Sequence, residues 1–550
     1  MNSKNKNKVI FIGVVSVVLL FALVLIGVVM NLTTVSSSKP KSLDEMLKDI
    51  NVSERTPVKA SVSLDDTSLY DELPDINKYP LAIKGNGDID LEIFSSGEKA
   101  GEGYESWLLD VAEEFNSSNI KTSDGRTVSV SVRQVSSGLG ADYIISNKYL
   151  PDLYTPSNSL FGELVNSQGG DLSMYNPRLV GNTAGVLVSK NKGYKSLEDV
   201  VKAVKENKLN LGYTNPQTSA SGLNFLVTLL KTSDSKDMFS KNAEISFSEF
   251  QSNIPFVAYT TMQMRDSAKN GSLDGMIMEY QTYDNEDDLN SIYDFIPYGI
   301  RHDNPLYFTE KAKGKEEAIK LFNDFCMSDK MQNLATKKGF NANEKYSSSL
   351  KFSGAEVSKA LTLYKKNKDS GKDVIAVFVA DCSGSMDGEP LLQLKESLSN
   401  GAKYINDNNL VGLVSYSTDV SIELPIEKFD LNQRAYFQGS VERLNASGGT
   451  ASYDAVLVAT DMIKKAKKNN PDAKAMIFLL SDGCANDGHT LSQVKDTIKG
   501  EKIPIYTISY TDQADTNAMK ELSNINEAAS INADSDDVIY KIKSLFNSQM

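Results

Sequence analysis

Residues 374–385 read Val-Ile-Ala-Val-Phe-Val-Ala-Asp-Cys-Ser-Gly-Ser. The first seven of these residues are apolar without interruption, as expected for a central parallel strand that is covered on both faces. Three similar runs occur at 410–416, 475–480 and 503–509. Segments with amphipathic helical spacing separate most of the runs, at 391–405, 451–467, 491–498 and 538–546. This alternation predicts an α/β fold with a doubly wound sheet over residues 372–550.

The polar residues that follow this first strand are spaced for ion binding. Asp381, Ser383 and Ser385 lie two positions apart, and in extended chain such side chains point the same way. Gly384 allows a tight backbone turn among them. All three side chains offer hard oxygen atoms, which suit Mg²⁺, Ca²⁺ or Mn²⁺ better than zinc.

Two further polar segments stand next to predicted elements. Ser447-Gly-Gly-Thr450 precedes the helix at 451–467, and Asp482 follows a buried strand. Doubly wound sheets bind ligands at the carboxyl ends of strands, where the strand order reverses. The sequence therefore predicts one divalent-cation site, formed by Asp381, Ser383, Ser385, Thr450 and Asp482. The alternative is that these turns and strand-end carboxylates only cap helices.

The pattern Asp-x-Ser-x-Ser at 381–385, Gly-Gly-Thr at 448–450 and Ser-Asp-Gly at 481–483 resembles the metal-ion-dependent adhesion site of von Willebrand factor A domains. The resemblance implies a six-stranded sheet wrapped by helices. It implies that the three hydroxyl side chains coordinate Mg²⁺ (or Ca²⁺ or Mn²⁺), while the two aspartates act directly or through water. It also implies an open position on the ion that accepts a carboxylate from a protein partner.

Residues 87–345 alternate strand and helix patterns and predict a separate α/β domain. Loops rich in Ser and Thr follow two of its strands and precede one of its helices. Hydroxyls and N–H groups at a helix N-terminus favour an anion. The candidate contacts to a small ligand are Ser96, Ser137, Thr218 and Ser219.

The end of this domain, from Lys315 to Phe340, and the loops at 151–157 and 215–222 are similar to those of type 2 bacterial solute-binding proteins. The resemblance implies two lobes that close over a small ligand. The alternative is that the loops are only turns and helix caps in a scaffold that no longer binds a solute.

The N-terminus carries an uncharged apolar run at 9–30, preceded by three lysines. As a helix this run is about 33 Å long, enough to cross a bilayer. The lysines place the N-terminus in the cytoplasm and the rest of the chain outside. We therefore predict a transmembrane signal anchor at 9–30, a loose polar stalk at 31–86 and a connecting helix or linker at 346–371. A cleaved signal peptide is the alternative, although its apolar core is normally about 7–15 residues.

Composition argues against several classes of function. The net charge of −14 disfavours nucleic-acid binding, which needs a basic surface. The chain has 2 His and 3 Cys and no C-x-x-C, and no nucleophile with a base stands out, so we predict no enzyme. Cys382 and Cys484 flank the predicted metal loops; a disulfide between them is one hypothesis and two buried thiols are the other.

These observations predict a bacterial cell-surface protein, anchored by one helix with both domains extracellular. Its function is to engage a protein partner through a divalent metal, with the partner supplying an acidic side chain. The alternative is a solute receptor, in which the middle domain captures a small ligand and signals through the last domain.

Overall fold

The computed structural model describes residues 41–62, 73–254, 256–258, 264, 273–368, 372–482, 485–510, 516–526 and 530–532. The chain divides into two compact units, residues 1–49 and 50–550. In the first unit, a short helix at Leu43–Met46 and a 3-10 turn at Leu47–Asp49 are described. The predicted anchor at 9–30 lies outside the described residues. Among the helices that are described, none is both long and apolar enough to span a bilayer.

The second unit holds all the described strands, named β1 to β18 in chain order. They are Val52–Glu54, Leu81–Ile83, Ile89–Ser95, Val128–Gln134, Leu153–Thr155, Ser173–Asn176, Asn182–Ser189, Leu211–Thr214, Phe256–Ala258, Gly275–Glu279, Tyr293–His302, Leu306–Phe308, Val374–Asp381, Leu410–Tyr416, Val420–Lys428, Lys474–Ser481, Ile505–Ser509 and Ser530–Asn532. The longer helices are Trp107–Ser117, Ser137–Ile145, Leu160–Ser167, Leu197–Lys205, Ala220–Ser233, Lys241–Gln251, Glu316–Cys326, Asp329–Lys337, Gly354–Asn367, Glu389–Gly401, Leu431–Glu442, Ser452–Lys467, Leu491–Glu501 and Thr516–Ile525.

The first lobe of the middle domain is built on a sheet of order β2-β4-β3-β5-β12-β6. Alternate residues of β3 face the core, and the helix Trp107–Ser117 covers them with an apolar face. The ring of Phe115 packs edge-on against Phe322, with 5.2 Å between centroids. Trp107, the single tryptophan of the chain, is fully buried here and donates its Nε1–H to the carbonyl of Met331 at 2.9 Å.

The second lobe is built on a sheet of order β11-β7-β10-β8-β9. The chain crosses between the lobes twice, at 177–181 between β6 and β7 and at 303–305 between β11 and β12. The lobes are in contact across their cleft, since the amide of Gly138 donates to the carbonyl of Thr218 at 3.1 Å. The amide side chain of Asn158 makes a second such contact, to the carbonyl of Ala220 at 3.1 Å. The two-lobed arrangement expected from the sequence is present, and it is closed.

The last domain is built on a sheet of order β1-β15-β14-β13-β16-β17-β18. All eight residues of β13 are buried, as the unbroken apolar run predicts for a strand covered on both faces. β13 lies between β14 and β16 and is parallel to both, so the strand order reverses beside it. This mixed α/β architecture agrees with the predicted fold class and places the carboxyl ends of β13, β14 and β16 side by side.

Two strands come from the stretch that the sequence predicts to be a loose stalk, residues 31–86. Val52–Glu54 pairs in parallel with β15 and adds a seventh strand to the sheet of the last domain. Leu81–Ile83 pairs with β4 in the first lobe. All three residues of β1 are exposed, so no hydrophobic alternation marks it in the sequence. The strand forms because the open edge of β15 offers backbone hydrogen-bonding groups.

The predicted connecting helix is present at Gly354–Asn367 and is packed into the middle domain. Its first residue lies against the helix Leu160–Ser167 of the first lobe: a Cβ added to Gly354 would be 2.0 Å from the carbonyl of Glu163. Further along, Tyr364 contacts the ring of Phe247 in the second lobe, at 6.4 Å between centroids. The helix therefore touches both lobes shortly before the chain enters β13.

Candidate functional site

Asp381, the last residue of β13, is at the centre of the predicted metal site and is fully buried. Its Oδ2 accepts hydrogen bonds from the Tyr416 hydroxyl at 2.9 Å and the Ser481 hydroxyl at 2.5 Å. Its Oδ1 accepts from the amide of Ser383 at 2.9 Å. Burial raises the pKa of Asp381, and the nearby charge of Asp482 raises it further. The carboxylate is thus held in one orientation, at a cost in desolvation that a cation would offset.

The two serines of the first loop follow in a 3-10 turn at Gly384–Met386. The hydroxyl oxygens of Ser383 and Ser385 are 3.0 Å apart. Ser383 is buried while Ser385 is exposed, so the pair runs from the interior of the site to its rim. Gly384 approaches the second loop closely, donating its amide to the carbonyl of Gly448 at 3.0 Å.

The loop that carries Thr450 is fixed from three sides. The amide of Ser447 donates to the carbonyl of Cys382 at 2.8 Å, which ties this loop to the first one. The amide of Ala451 donates to the carbonyl of Ser417 at 2.9 Å, beyond the end of β14. The amide of Thr450 donates to Oδ1 of Asn486 at 2.9 Å, which ties it to the segment after β16. Backbone hydrogen bonds therefore set the position of the buried Thr450 side chain.

Asp482 follows β16 directly and is partly buried. Because β16 pairs in parallel with β13, Asp482 follows its strand at the same sheet edge at which β13 ends in Asp381. The structure therefore brings together the three loops that bear the predicted residues Asp381, Ser383, Ser385, Thr450 and Asp482. Two carboxylates and three hydroxyls form a set of hard oxygen donors, and among the described residues no ion pair engages Asp381. This donor set fits Mg²⁺, Ca²⁺ or Mn²⁺.

The sequence alone did not single out Tyr416, Ser481 or Asn486, which hold the predicted ligands in place. Tyr416 and Ser481 end β14 and β16, so their positions at strand ends are the signal that could have found them. Cys382 is a free, buried thiol, and burial raises its pKa to about 12. Cys484 lies outside the described residues.

The four predicted ligand contacts of the middle domain lie on loops at the cleft. The Ser96 hydroxyl accepts from the Lys99 ammonium at 2.7 Å, and the Ser137 hydroxyl accepts from the amide of Ser157 at 3.4 Å. The Thr218 hydroxyl donates to the carbonyl of Asn215 at 3.4 Å. Ser219 caps the helix Ala220–Ser233 by accepting from the amide of Gly222 at 3.4 Å. All four hydroxyls are hydrogen-bonded within the protein, which leaves their role as ligand contacts a prediction.

A second group in the cleft was not predicted from the sequence. One ligand atom each of Glu98, Glu279 and His302 lies within 4.8 Å of the others. Lys99 is fully buried beside them. Glu98 follows the first serine-rich loop, while Glu279 and His302 are the last residues of β10 and β11. The positions of the two latter residues at strand ends are a weak signal, because many strands end in polar residues.

Comparison with known proteins identifies both folded regions. Residues 376–547 match the family described as von Willebrand factor type A domain, and residues 100–341 match the family described as bacterial extracellular solute-binding protein.

Two curated relatives each match about a quarter of this chain. An uncharacterised protein of Synechocystis is 26% identical over 147 residues, covering 26% of this chain and 34% of that protein. Inter-alpha-trypsin inhibitor heavy chain H3 of Mus musculus is 26% identical over 158 residues, covering 27% of this chain and 17% of that protein. The chain thus spans about a third or less of these relatives.

Solved structures resemble one region or the other. A von Willebrand factor type A protein from Catenulispora acidiphila has 19% identity and a TM-score of 0.30, covering 32% of this chain and 43% of its own. A periplasmic thiamin binding protein has 13% identity and a TM-score of 0.41, covering 52% of this chain and 99% of its own. The family matches agree with the order predicted from the sequence: the chain carries a bacterial solute-binding domain followed by a von Willebrand factor A domain.

Proposed function

We propose that this protein binds a protein partner through a divalent cation held by the three loops of the von Willebrand factor A domain. The observation that carries the proposal is the orientation of Asp381, whose two carboxylate oxygens receive three hydrogen bonds from Ser383, Tyr416 and Ser481. A bound Mg²⁺ would be held by the hydroxyls of Ser383, Ser385 and Thr450, with Asp381 and Asp482 balancing its charge. The exposed rim at Ser385 leaves access for an acidic side chain of the partner.

The test is capture of partners from a cell envelope by the full chain, with Mg²⁺ or with EDTA. Thr450→Ala should lose the captured protein, and EDTA should release it from the wild type. Thr460→Ala is the matched control, because Thr460 is equally buried but lies on the helix Ser452–Lys467 and bonds only the carbonyl of Val456. Capture that persists in EDTA and in Thr450→Ala would contradict the proposal.

We infer an extracellular location and anchoring by residues 9–30. The support is the apolar run behind three lysines and the match to a family of extracellular solute-binding proteins. Alkaline-carbonate extraction of membranes tests the anchor: a chain released into the supernatant would show that residues 9–30 do not hold it in the bilayer.

We further infer that the protein acts by binding and not by catalysis. In the described part of the chain, His302 bonds to the side chains of Asn158 and Asn224, and His489 bonds to Asp454. Among the described residues, neither histidine ring hydrogen-bonds to a hydroxyl or thiol, which is the contact a histidine base makes to its nucleophile.

A second candidate function is solute reception by the middle domain. The closed cleft supports it, since buried polar atoms of Thr155, Asn182 and Asn215 lack hydrogen-bond partners there. Such groups are costly to leave unpaired, and a bound solute would satisfy them. The helix Gly354–Asn367, which touches both lobes and leads into β13, offers a route from the cleft to the metal-binding domain.

A further inference from the structure

The buried cluster of Glu98, Glu279 and His302 draws on three separate parts of the middle domain. Glu98 belongs to the first lobe, in the short helix Gly97–Ala100. Glu279 ends β10 of the second lobe, and His302 ends β11 where the chain crosses back. Because their ligand atoms lie within 4.8 Å of one another, the two carboxylates meet only when the lobes close.

The close approach of the two buried carboxylates is electrostatically unfavourable. Both carboxylate oxygens of Glu98 are buried without a hydrogen-bond partner. Burial raises the pKa of Glu98 to about 8; the charge of Lys99 opposes this rise, and the smaller effect of the Glu279 charge adds to it. When both carboxylates are ionised, two like charges this close in a dry site repel strongly, so a positive charge between them favours closure of the lobes.

The Lys99 ammonium does not hydrogen-bond to the carboxylate of Glu98 or of Glu279. Its ammonium donates to the hydroxyl of Ser96 at 2.7 Å and to the carbonyl of Thr155 at 2.8 Å. Burial lowers the pKa of Lys99 to about 7, so its positive charge is weakened in the closed cleft. The Glu279 carboxylate accepts a hydrogen bond from the hydroxyl of Ser221. A carboxylate can accept several donors, so a cationic ligand can still bind between Glu279 and Glu98.

The ring of His302 is set as a hydrogen-bond donor. Its Nε2 lies 3.0 Å from the side-chain nitrogen of Asn158 and 3.3 Å from that of Asn224. The oxygen of each amide is already taken, by the backbone N–H of Leu160 and of Ile300, so both nitrogens face the ring. Nε2 is therefore the acceptor and the ring proton lies on Nδ1, which is buried without a partner.

This tautomer decides between two kinds of cation. A metal ion bound through Nδ1 would need a lone pair on that nitrogen, and in this tautomer Nδ1–H has none to give. Two carboxylates without the ring provide fewer protein ligands than zinc or calcium sites normally have. Asn182, paired with His302 across β7 and β11, adds another unused N–H donor. The site thus combines anionic acceptors with neutral donors, as an organic solute requires.

We propose that the cleft binds a small organic solute with a protonated amine, which sits between Glu98 and Glu279 while its acceptor atoms face His302 and Asn182. This inference rests on the second candidate function, solute reception. It replaces the anionic ligand favoured by the sequence with a cationic or zwitterionic one.

The test uses thermal unfolding of the full chain followed by the fluorescence of Trp107, which reports on the middle domain alone because the chain has no other tryptophan. The probes are ethanolamine, putrescine, glycine and arginine. At about a hundredfold excess over Kd, a bound amine should raise the midpoint by roughly 5 °C. Glu98→Gln and Glu279→Gln should each abolish this shift, whereas Glu114→Gln, outside the cleft, should keep it.

The thermal unfolding midpoints measured without ligand distinguish a folding defect in a variant from loss of ligand binding. Each glutamine variant removes one of the repelling charges, so its midpoint should equal or exceed that of the wild type. Asp381→Ala should keep the amine shift, so that failure of metal-dependent capture and failure of this inference are told apart.

The pH dependence of amine binding tests the proposal with the wild type alone. The titratable groups around Glu98 are Lys99, Glu105, Glu279 and His302. As the pH rises, Glu98 loses its proton and Lys99 loses its charge, and both changes favour a cation. Amine affinity should therefore rise from acidic to mildly alkaline pH.

Three results would overturn the proposal. The first is the absence of any midpoint shift with all four amines. The second is a shift given by Ca²⁺, Mg²⁺, Mn²⁺ or Zn²⁺ alone and lost in Glu98→Gln, which would indicate a metal site. The third is a shift given only by sulfate or phosphate, which would restore the anionic ligand.

Discussion

Two pairs of acidic side chains are built differently: Asp381 with Asp482 in the metal loops, and Glu98 with Glu279 in the cleft. In the metal loops, Asp381 is hydrogen-bonded through both oxygens before any ligand arrives. In the cleft, both oxygens of Glu98 are buried without a partner. The first pair belongs to neighbouring strands of one sheet, while the second pair joins two lobes. One site is therefore preformed, and the other is completed by closure of the lobes.

The largest effect is expected at the preformed site. Asp381→Ala should lower the affinity for Mg²⁺ by more than about a hundredfold. Loss of a residue that merely positions a metal ligand already lowers the affinity by up to about a hundredfold. Isothermal titration calorimetry of the full chain measures this affinity. A variant that still binds Mg²⁺ as the wild type does would show that Asp381 has no part in the site.

The next largest effect is expected for a variant that obstructs closure of the cleft and leaves the metal loops unchanged. In Gly138→Ala, the new Cβ would lie 2.1 Å from the carbonyl of Gln217 in the facing lobe. Closure would then need a backbone shift that costs about 1–3 kcal/mol, and amine affinity should fall by roughly tenfold to a hundredfold.

The control for this variant is Gly384→Ala, whose Cβ would meet the carbonyl of Gly448 at 3.3 Å, a distance the loop can absorb by a small shift. Its Mg²⁺ affinity should change much less than the amine affinity of Gly138→Ala. Equal losses in the two variants would remove the distinction between a preformed site and one made by closure.

A smaller effect should follow from loosening Asp381 without removing it. Tyr416→Phe deletes the hydroxyl that donates to Oδ2, and Ser481→Ala deletes the other donor. Each change should weaken Mg²⁺ binding by about tenfold, because the carboxylate loses a fixed orientation. Calorimetry on both variants and on their double mutant shows whether the two hydroxyls act together.

The smallest expected effect is on stability. The pKa of Glu98 is raised from 4.5 in the unfolded chain to about 8 in the folded protein. The folded state then binds the proton more tightly, so stability is highest at low pH and falls as pH rises through this window. The Trp107 midpoint should drop by a few degrees between about pH 5 and pH 8. In Glu98→Gln this slope should be flatter.

The serine and threonine loops of the middle domain show where a local pattern leaves two interpretations open. Ser96, Ser137, Thr218 and Ser219 were predicted because hydroxyls near helix starts suit an anion, and all four lie at the cleft. Their hydroxyls are engaged by neighbours in the protein, for example Ser219 by the amide of Gly222. A helix cap and a ligand contact have the same sequence signature, so the role of these four residues as ligand contacts stays a prediction.

The sequence by itself determined the metal loops, because each loop is a short motif directly after a buried strand or before a helix. The unbroken apolar run of β13 fixes where Asp381 emerges, and Ser383 and Ser385 follow within four residues. Only the tertiary structure decided the cleft, since Glu98, Glu279 and His302 are far apart in the chain and share no motif. Their meeting depends on two lobes closing, and long-range packing of that kind leaves no periodic trace in the residues it brings together.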